Sequence, residues 1–263
     1  MLTKLFLLSA ASLCSMLLLG SVPSFAAHPL LTDDTFTQGK GKTQVEASYK
    51  YDHDNDASVK TQTGQSQIQI TYGIIDPLDA IVTVPYLFLR QTQGGSTTND
   101  DGIGDVALAL KWRFFGEKEG LQFAVKPSVS IPTGNEDKGL GHGRASYGIN
   151  FISTFDREAW CISANAGIQH NEYGLQADRD ANRSDIWSAG LAGQLRVIEK
   201  LWLVGEMGMQ RNPDVISDTP PAYILGGFIY ELTKSIDLDA GYKYGLNKPG
   251  ADYSILAGIT IRF

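Results

Sequence analysis

The chain has 263 residues, 43% of them hydrophobic and 10% aromatic, and a net charge of −7. The acidic balance argues against a nucleic-acid partner, and the two cysteines, Cys14 and Cys161, are too few for a disulfide-stapled scaffold. Past its N-terminus no stretch approaches the roughly 20 apolar residues of a spanning helix, so a membrane protein of this sequence must cross as strands.

Lys4, the apolar run from Leu5 to Gly20 and the small residues around Ser24-Phe25-Ala26 read as a secretory signal peptide over residues 1–26, cut after Ala26. Cys14 leaves with it, and Leu13 before it is not the small residue of a lipoprotein cleavage site. Cys161 then stands alone and reads as a small, inert lumen residue, since no activating base neighbours it in sequence. Residues 27–41 form a short polar lead-in. It has two readings: a flexible periplasmic tail, or a plug folded into a lumen through Asp33, Asp34, Thr35 and Gln38.

From residue 42 onward, apolar and polar residues alternate with the period of a strand. Residues 42–51 set Val45, Ala47, Tyr49 and Tyr51 against Gln44, Glu46, Ser48 and Lys50. Residues 64–75 set Ile68, Ile70, Tyr72 and Ile74 against Gln65, Gln67, Gln69 and Thr71. In 104–115 the apolar side holds Val106, Leu108, Leu110, Trp112 and Phe114, and the other side Asp105, Lys111 and Arg113. Segments 121–131, 145–155, 159–169 and 236–245 repeat the scheme, while 80–89, 186–197, 201–210 and 222–231 are strand-like with blurred parity. The last strand places Tyr253, Ile259, Ile261 and Phe263 on one face and ends on an aromatic. That ending resembles the assembly signal read by the barrel-insertion machinery.

Short turns fall at 76–79, 116–120, 156–158, 198–200 and 232–235; longer acidic, Gly-rich loops fall at 52–63, 91–103, 132–144, 170–185, 211–221 and 246–252. Short periplasmic turns and long outer loops belong to an all-β, transmembrane, antiparallel up-and-down β-barrel over residues 42–263. The spacing implies about 12 strands, with a range of about 10–14. A soluble sandwich fits poorly, because the polar face is heavily charged and the apolar face carries aromatics near strand ends, where interfacial girdles belong.

A barrel of this size has a backbone radius on the order of 12 Å, most of it consumed by inward side chains. The inward candidates are Glu46, Lys50, Asp105, Lys111, Arg113, Lys126, Arg196, Glu206, Lys243 and Arg262. They form either a paired lattice propping the barrel or a ladder steering solutes along a path. Asp52, Asp54 and Asp56 have the spacing of a calcium loop but lack its Gly and distal Glu, and no metal or cofactor is expected. His142 beside Ser146 is the one conceivable catalytic pair; without an acidic orienter it does not make an enzyme.

Three stretches carry a family likeness: HPLLTDDTFTQGKGK from His28 to Lys42, DGIGDVALALKWRFF from Asp101 to Phe115, and SIPTGN from Ser130 to Asn135. They resemble the family of outer-membrane proteins named for the MetA-pathway of phenol degradation, often labelled as transporters. The resemblance implies an outer-membrane barrel linked to aromatic or other hydrophobic compounds, and supplies no catalytic residue. The expected function is passive uptake of small hydrophobic or aromatic solutes across the bacterial outer membrane. The alternative is a structural or adhesive surface barrel with a closed, ion-paired lumen. Either one has outer-membrane lipid, lipopolysaccharide and the barrel-assembly machinery as partners.

Overall fold

The computed structural model describes residues 28–56, 59–117 and 119–263; the signal peptide read over 1–26 lies outside them. Thirteen strands follow in order: β1 (Thr43–Asp56), β2 (Val59–Ile75), β3 (Leu78–Gln93), β4 (Ser96–Ile103), β5 (Val106–Phe115), β6 (Gly120–Ile131) and β7 (Ser146–Arg157). They continue as β8 (Trp160–His170), β9 (Asp185–Ile198), β10 (Leu201–Gln210), β11 (Ala222–Glu231), β12 (Ile236–Gly245) and β13 (Tyr253–Arg262). Every neighbouring pair is antiparallel, and β13 returns to β1 in register from Gln44–Arg262 to His53–Tyr253, closing the ring. Phe263 completes the seam, exchanging backbone hydrogen bonds with Thr43.

β3 pairs with β5 along its inner half and with β4 along its outer half, so β4 and β5 are one stave and the barrel has 12. The break lies at Gly104-Asp105, opposite Pro85, where the Gly104 N–H still reaches the Pro85 carbonyl at 2.9 Å. Closure is the only sheet solution in hydrocarbon, because an unpaired edge has no water to turn to. Outward side chains confirm which face meets lipid: Ile68, Trp112, Ile149, Leu203 and Tyr242 are each about half exposed. An aromatic run, Trp112–Phe114–Phe151–Phe123–Phe115, covers one flank with ring centroids 5.6–6.3 Å apart.

Two expected loops are strands. Residues 52–56 with 59–63, and 91–93 with 96–103, continue the β1–β2 and β3–β4 hairpins beyond the length of a span, with β2 reaching 17 residues. Spanning needs only about 9–11. The Thr- and Gln-rich tips keep pairing because the hairpin ladder satisfies their backbone. Gly94-Gly95, both at positive φ, form the two-residue turn that joins β3 to β4. The 170–185 loop contains a short helix, α1 (Gln176–Ala181).

The blurred parity of 186–197, 201–210 and 222–231 has a physical cause. Ala192, Trp202, Val204, Leu225 and Ile229 are buried inside the barrel while Leu191, Leu203 and Ile224 face outward. Both faces are apolar, one against lipid and one against an internal core that also takes in Leu30 and Phe36.

A cation on the lipid face should be costly, and the same cation above the bilayer harmless. Ile68→Arg is expected to lower stability by about 2–4 kcal/mol, and Thr92→Arg in the protruding hairpin by under about 0.5 kcal/mol. Urea unfolding of the refolded barrel in lipid vesicles measures both.

Candidate functional site

Residues 28–41 do not run away from the barrel. The segment departs from β1 through Gly41 and Gly39, both in the left-handed region at φ 79° and 82°, and turns up into the lumen. Its first fixed points lie under the β2–β3 turn, where Thr37 Oγ1 donates to the Asp76 carbonyl at 2.7 Å, the Lys40 N–H to Asp76 Oδ1 at 2.9 Å and the Gln38 N–H to the Asp79 carboxylate at 3.1 Å. It then crosses the interior. Thr35, fully buried, donates twice: its N–H to Thr154 Oγ1 at 3.1 Å and its hydroxyl to Gln122 Oε1 at 2.9 Å.

The electrostatic centre is Asp33. Its two carboxylate oxygens lie 2.8 Å from Lys111 Nζ and 2.7 Å from Lys126 Nζ, and Lys111 also reaches Asp34 Oδ1 at 3.3 Å. Burial alone would raise the Asp33 carboxyl, but the two ammonium groups hold it well below the usual carboxylate range. The anchor is therefore intact above the ordinary range and lost only as pH falls through that depressed value. Farther along, the Leu31 N–H and Thr32 Oγ1 donate to the Glu206 carboxylate at 2.7 and 2.8 Å, while Tyr223 donates to the same group at 2.6 Å. His28 ends the described segment against Asp239.

Glycines shape the seat. A Cβ on Gly190 would run into the Thr32 hydroxyl, one on Gly241 would come within 2.9 Å of Pro29, and one on Gly73 would strike the Gly39 carbonyl. Side chains at these positions would displace the segment, so the wall is moulded to it.

The other inward candidates divide. Arg262 pairs with Asp237, and Lys50 and Lys243 share Asp52 at 2.9 and 3.8 Å. Arg196 is not a free lumen cation but lies over the Trp202 ring, 4.5 Å from its centroid. Asp105 turns outward from the path, accepting from the Gly134 and His142 N–H groups at 3.0 and 2.8 Å, and so pins the 132–144 loop. Arg113 makes no salt bridge among the described residues, and its N–H bonds the Pro77 carbonyl near the periplasmic turn. Glu46, 6% exposed, makes neither hydrogen bond nor salt bridge among the described residues. At the terminal strand, Tyr253 stacks on Tyr242 with centroids 6.0 Å apart and packs on His53.

His142 Nδ1 does lie 3.2 Å from Ser146 Oγ, but Ser146 is 1% exposed and its oxygen already accepts from the Glu172 N–H at 3.2 Å. It is a loop staple, not a nucleophile offered to a substrate. Asp52 and Asp54 sit on extended β1 instead of wrapping as a calcium loop would. Sequence reasoning passed over Asp76, Asp79, Gln122, Thr154 and His28 as contacts, along with the glycine seats. Inward position was the available signal for most of them.

A cavity of about 270 Å³ remains between the segment and the wall built by β1, β2 and β3. Gln44, Gln65, Gln67 and Gln69 line one side; Leu30 and Phe36 of the segment, with Ile81 and Leu256, add apolar surface, and the charged groups of Asp33, Glu46, Lys50, Asp79, Lys111 and Lys126 also face it.

No curated protein matches the chain in sequence. Among solved structures it is similar to the COG4313 outer membrane channel from Pseudomonas putida F1, with TM-score 0.72 and 14% identity over 88% of this chain and 98% of that one. It is also similar to the beta domain of the Bordetella autotransporter BrkA (TM-score 0.58, 12% identity, 85% of this chain and 100% of that one) and to the KdgM porin bound to disordered oligogalacturonate (TM-score 0.55, 5% identity, 83% and 99%). At these identities the likeness establishes the barrel alone. The family model described as "Putative MetA-pathway of phenol degradation" matches residues 27–263, the whole barrel with its internal segment, and the chain therefore belongs to that family of outer-membrane β-barrels.

Proposed function

We propose that the protein is a passive outer-membrane channel for small hydrophobic or aromatic solutes, and that residues 28–41 are its internal plug. The observation that carries this reading is the cavity beside the segment, whose lining sets apolar Leu30, Phe36, Ile81 and Leu256 beside the glutamine amides and charged groups such as Glu46 and Lys111. At about 270 Å³ it is slightly smaller than ordinary ligand pockets of roughly 300–1,000 Å³, which suits a solute of about one ring. The family's association with phenol degradation supports the same solute class.

The competing reading is a closed scaffold, favoured by the Asp33–Lys111–Lys126 and Arg262–Asp237 pairs that brace the interior. Planar-bilayer recording separates the two. The channel reading expects a small conductance from the mature protein and a severalfold larger one after deletion of 28–41. A barrel silent in both forms is a scaffold.

The plug's hold is expected to depend on Asp33. Asp33→Ala leaves Lys111 and Lys126 facing each other without the carboxylate between them, and losing one partner of a buried ion pair costs about 3–5 kcal/mol. Because the segment can leave while the barrel stays closed, the loss should appear as frequent large openings, with the unfolding midpoint of the barrel barely moved. An unchanged open probability would separate Asp33 from plugging.

A further inference from the structure

We infer that solutes cross beside the seated segment instead of in its place, along a lane on the β1–β2 wall whose charge preference is set by Glu46; the inference rests on the channel reading above. Three observations carry it. The first is continuity: an outer cavity, floored by Tyr223 and walled by Lys243 and Asp52, shares Leu31 and Lys50 with the inner one, so the two adjoin at that pair. The inner cavity then runs past Gln65, Gln67 and Gln69 toward Gln44, Thr71 and Asp79 at the periplasmic end.

The second is asymmetry. The segment's shortest anchors among the described residues point away from this wall, to β5, β6, β7, β10 and β12, or lie at its periplasmic foot on Asp76 and Asp79. On β1 the segment is held by a Gln38 Nε2 bond to Gln44 Oε1, long at 3.3 Å. The wall opposite the anchors thus keeps amides that are not spent on the segment: the register sets Ser48 beside Gln67 and Lys50 beside Gln65. Amides that donate and accept suit an uncharged solute carrying a hydroxyl or carbonyl on an apolar body.

The third is Glu46. It stands in the same row as Gln69 on β2 and Thr260 on β13, is more than nine-tenths buried, and lines the cavity. The other carboxylates of the lane are occupied: Asp33 and Asp34 by Lys111, and Asp79 by the Gln38 N–H. Glu46 enters no hydrogen bond or salt bridge with the described residues, its main favourable charge being the segment's own His28, and the neighbouring buried Thr260 hydroxyl is unpartnered among them. A carboxylate without such a partner in a confined passage repels anions and admits cations and uncharged solutes.

A disulfide that fastens the segment tests the lane. An ideal Cβ at position 190 lies 3.5 Å from the Thr32 Cβ, within the roughly 3.5–4.5 Å that a disulfide spans. The mature protein carrying Thr32→Cys and Gly190→Cys is recorded in planar bilayers under a KCl gradient, oxidised and then reduced, with closure of the bond verified by peptide mass. The lane predicts oxidised and reduced conductances equal within about twofold, because ions that hop between sites on the opposite wall need no movement of the segment. Oxidised channels that shut and reopen with reductant would overturn it, since the segment must then move. Failure of the pair to close would overturn it too, because the seat is then wrong. Silence of both forms and of the deletion lacking 28–41 would instead remove the channel reading itself.

Glu46→Gln, in an otherwise unchanged protein, reads out the filter. The potassium-to-chloride permeability ratio, expected on the order of fivefold in the unsubstituted protein, should fall toward unity with conductance retained. A ratio unmoved by the substitution would deny Glu46 its role.

Discussion

Hydrocarbon offers no hydrogen-bond partners, and most of what this molecule does follows from that one constraint. Every backbone N–H and C=O at membrane depth must be satisfied by a neighbouring strand, so the sheet has to close, and β13 meets β1 over the register from Gln44–Arg262 to His53–Tyr253. Closure with a period of two then forces alternate side chains into a confined interior. Lysines, arginines and carboxylates that would be solvated on an open sheet find themselves facing one another across a narrow space. An unpaired charge is costly there, and most of these groups are paired.

The N-terminal segment resolves that problem as much as it occupies a path. Asp33 brings a carboxylate to two wall lysines, Leu31 and Thr32 bring donors to Glu206, and Leu30 and Phe36 cover Trp202 and its apolar neighbours. The barrel answers with glycines wherever the segment comes closest, as at Gly190 and Gly241. Wall and segment are complementary in charge and shape, and the complementarity is one-sided: the β1–β2 face keeps its glutamines largely free of it. On the proposed channel reading, occlusion and passage belong to different sides of the same lumen.

Much of this was legible in the sequence because lipid enforces a simple code. Ile68, Ile70 and Tyr72 alternate with glutamines and Thr71 whatever the rest of the chain does, and the final aromatic strand is readable by itself. The reading failed where a second apolar surface competed with lipid. Trp202 and Ile229 face inward because Leu30 and Phe36 are there, and nothing local to β10 or β11 announces it. Pairings such as Leu31 with Glu206 join residues 175 positions apart, so inward charge was visible but its partner was not. The protruding hairpins were lost for a different reason: Thr, Gln, Asn and Asp suit both loops and solvated strands, so runs such as Asp52 to Asp56 and Asn99 to Gly102 read as loops while the structure pairs them.

The seated segment is tested most directly by its accessibility. With Thr35→Cys in outer-membrane vesicles, and Cys161 replaced by Ala, a maleimide too bulky to enter the barrel is offered from the periplasmic side. A segment bonded between Gln122 and Thr154 leaves that thiol unmodified until the barrel is unfolded. Rapid modification of the folded protein would place the segment outside the lumen and contradict the account.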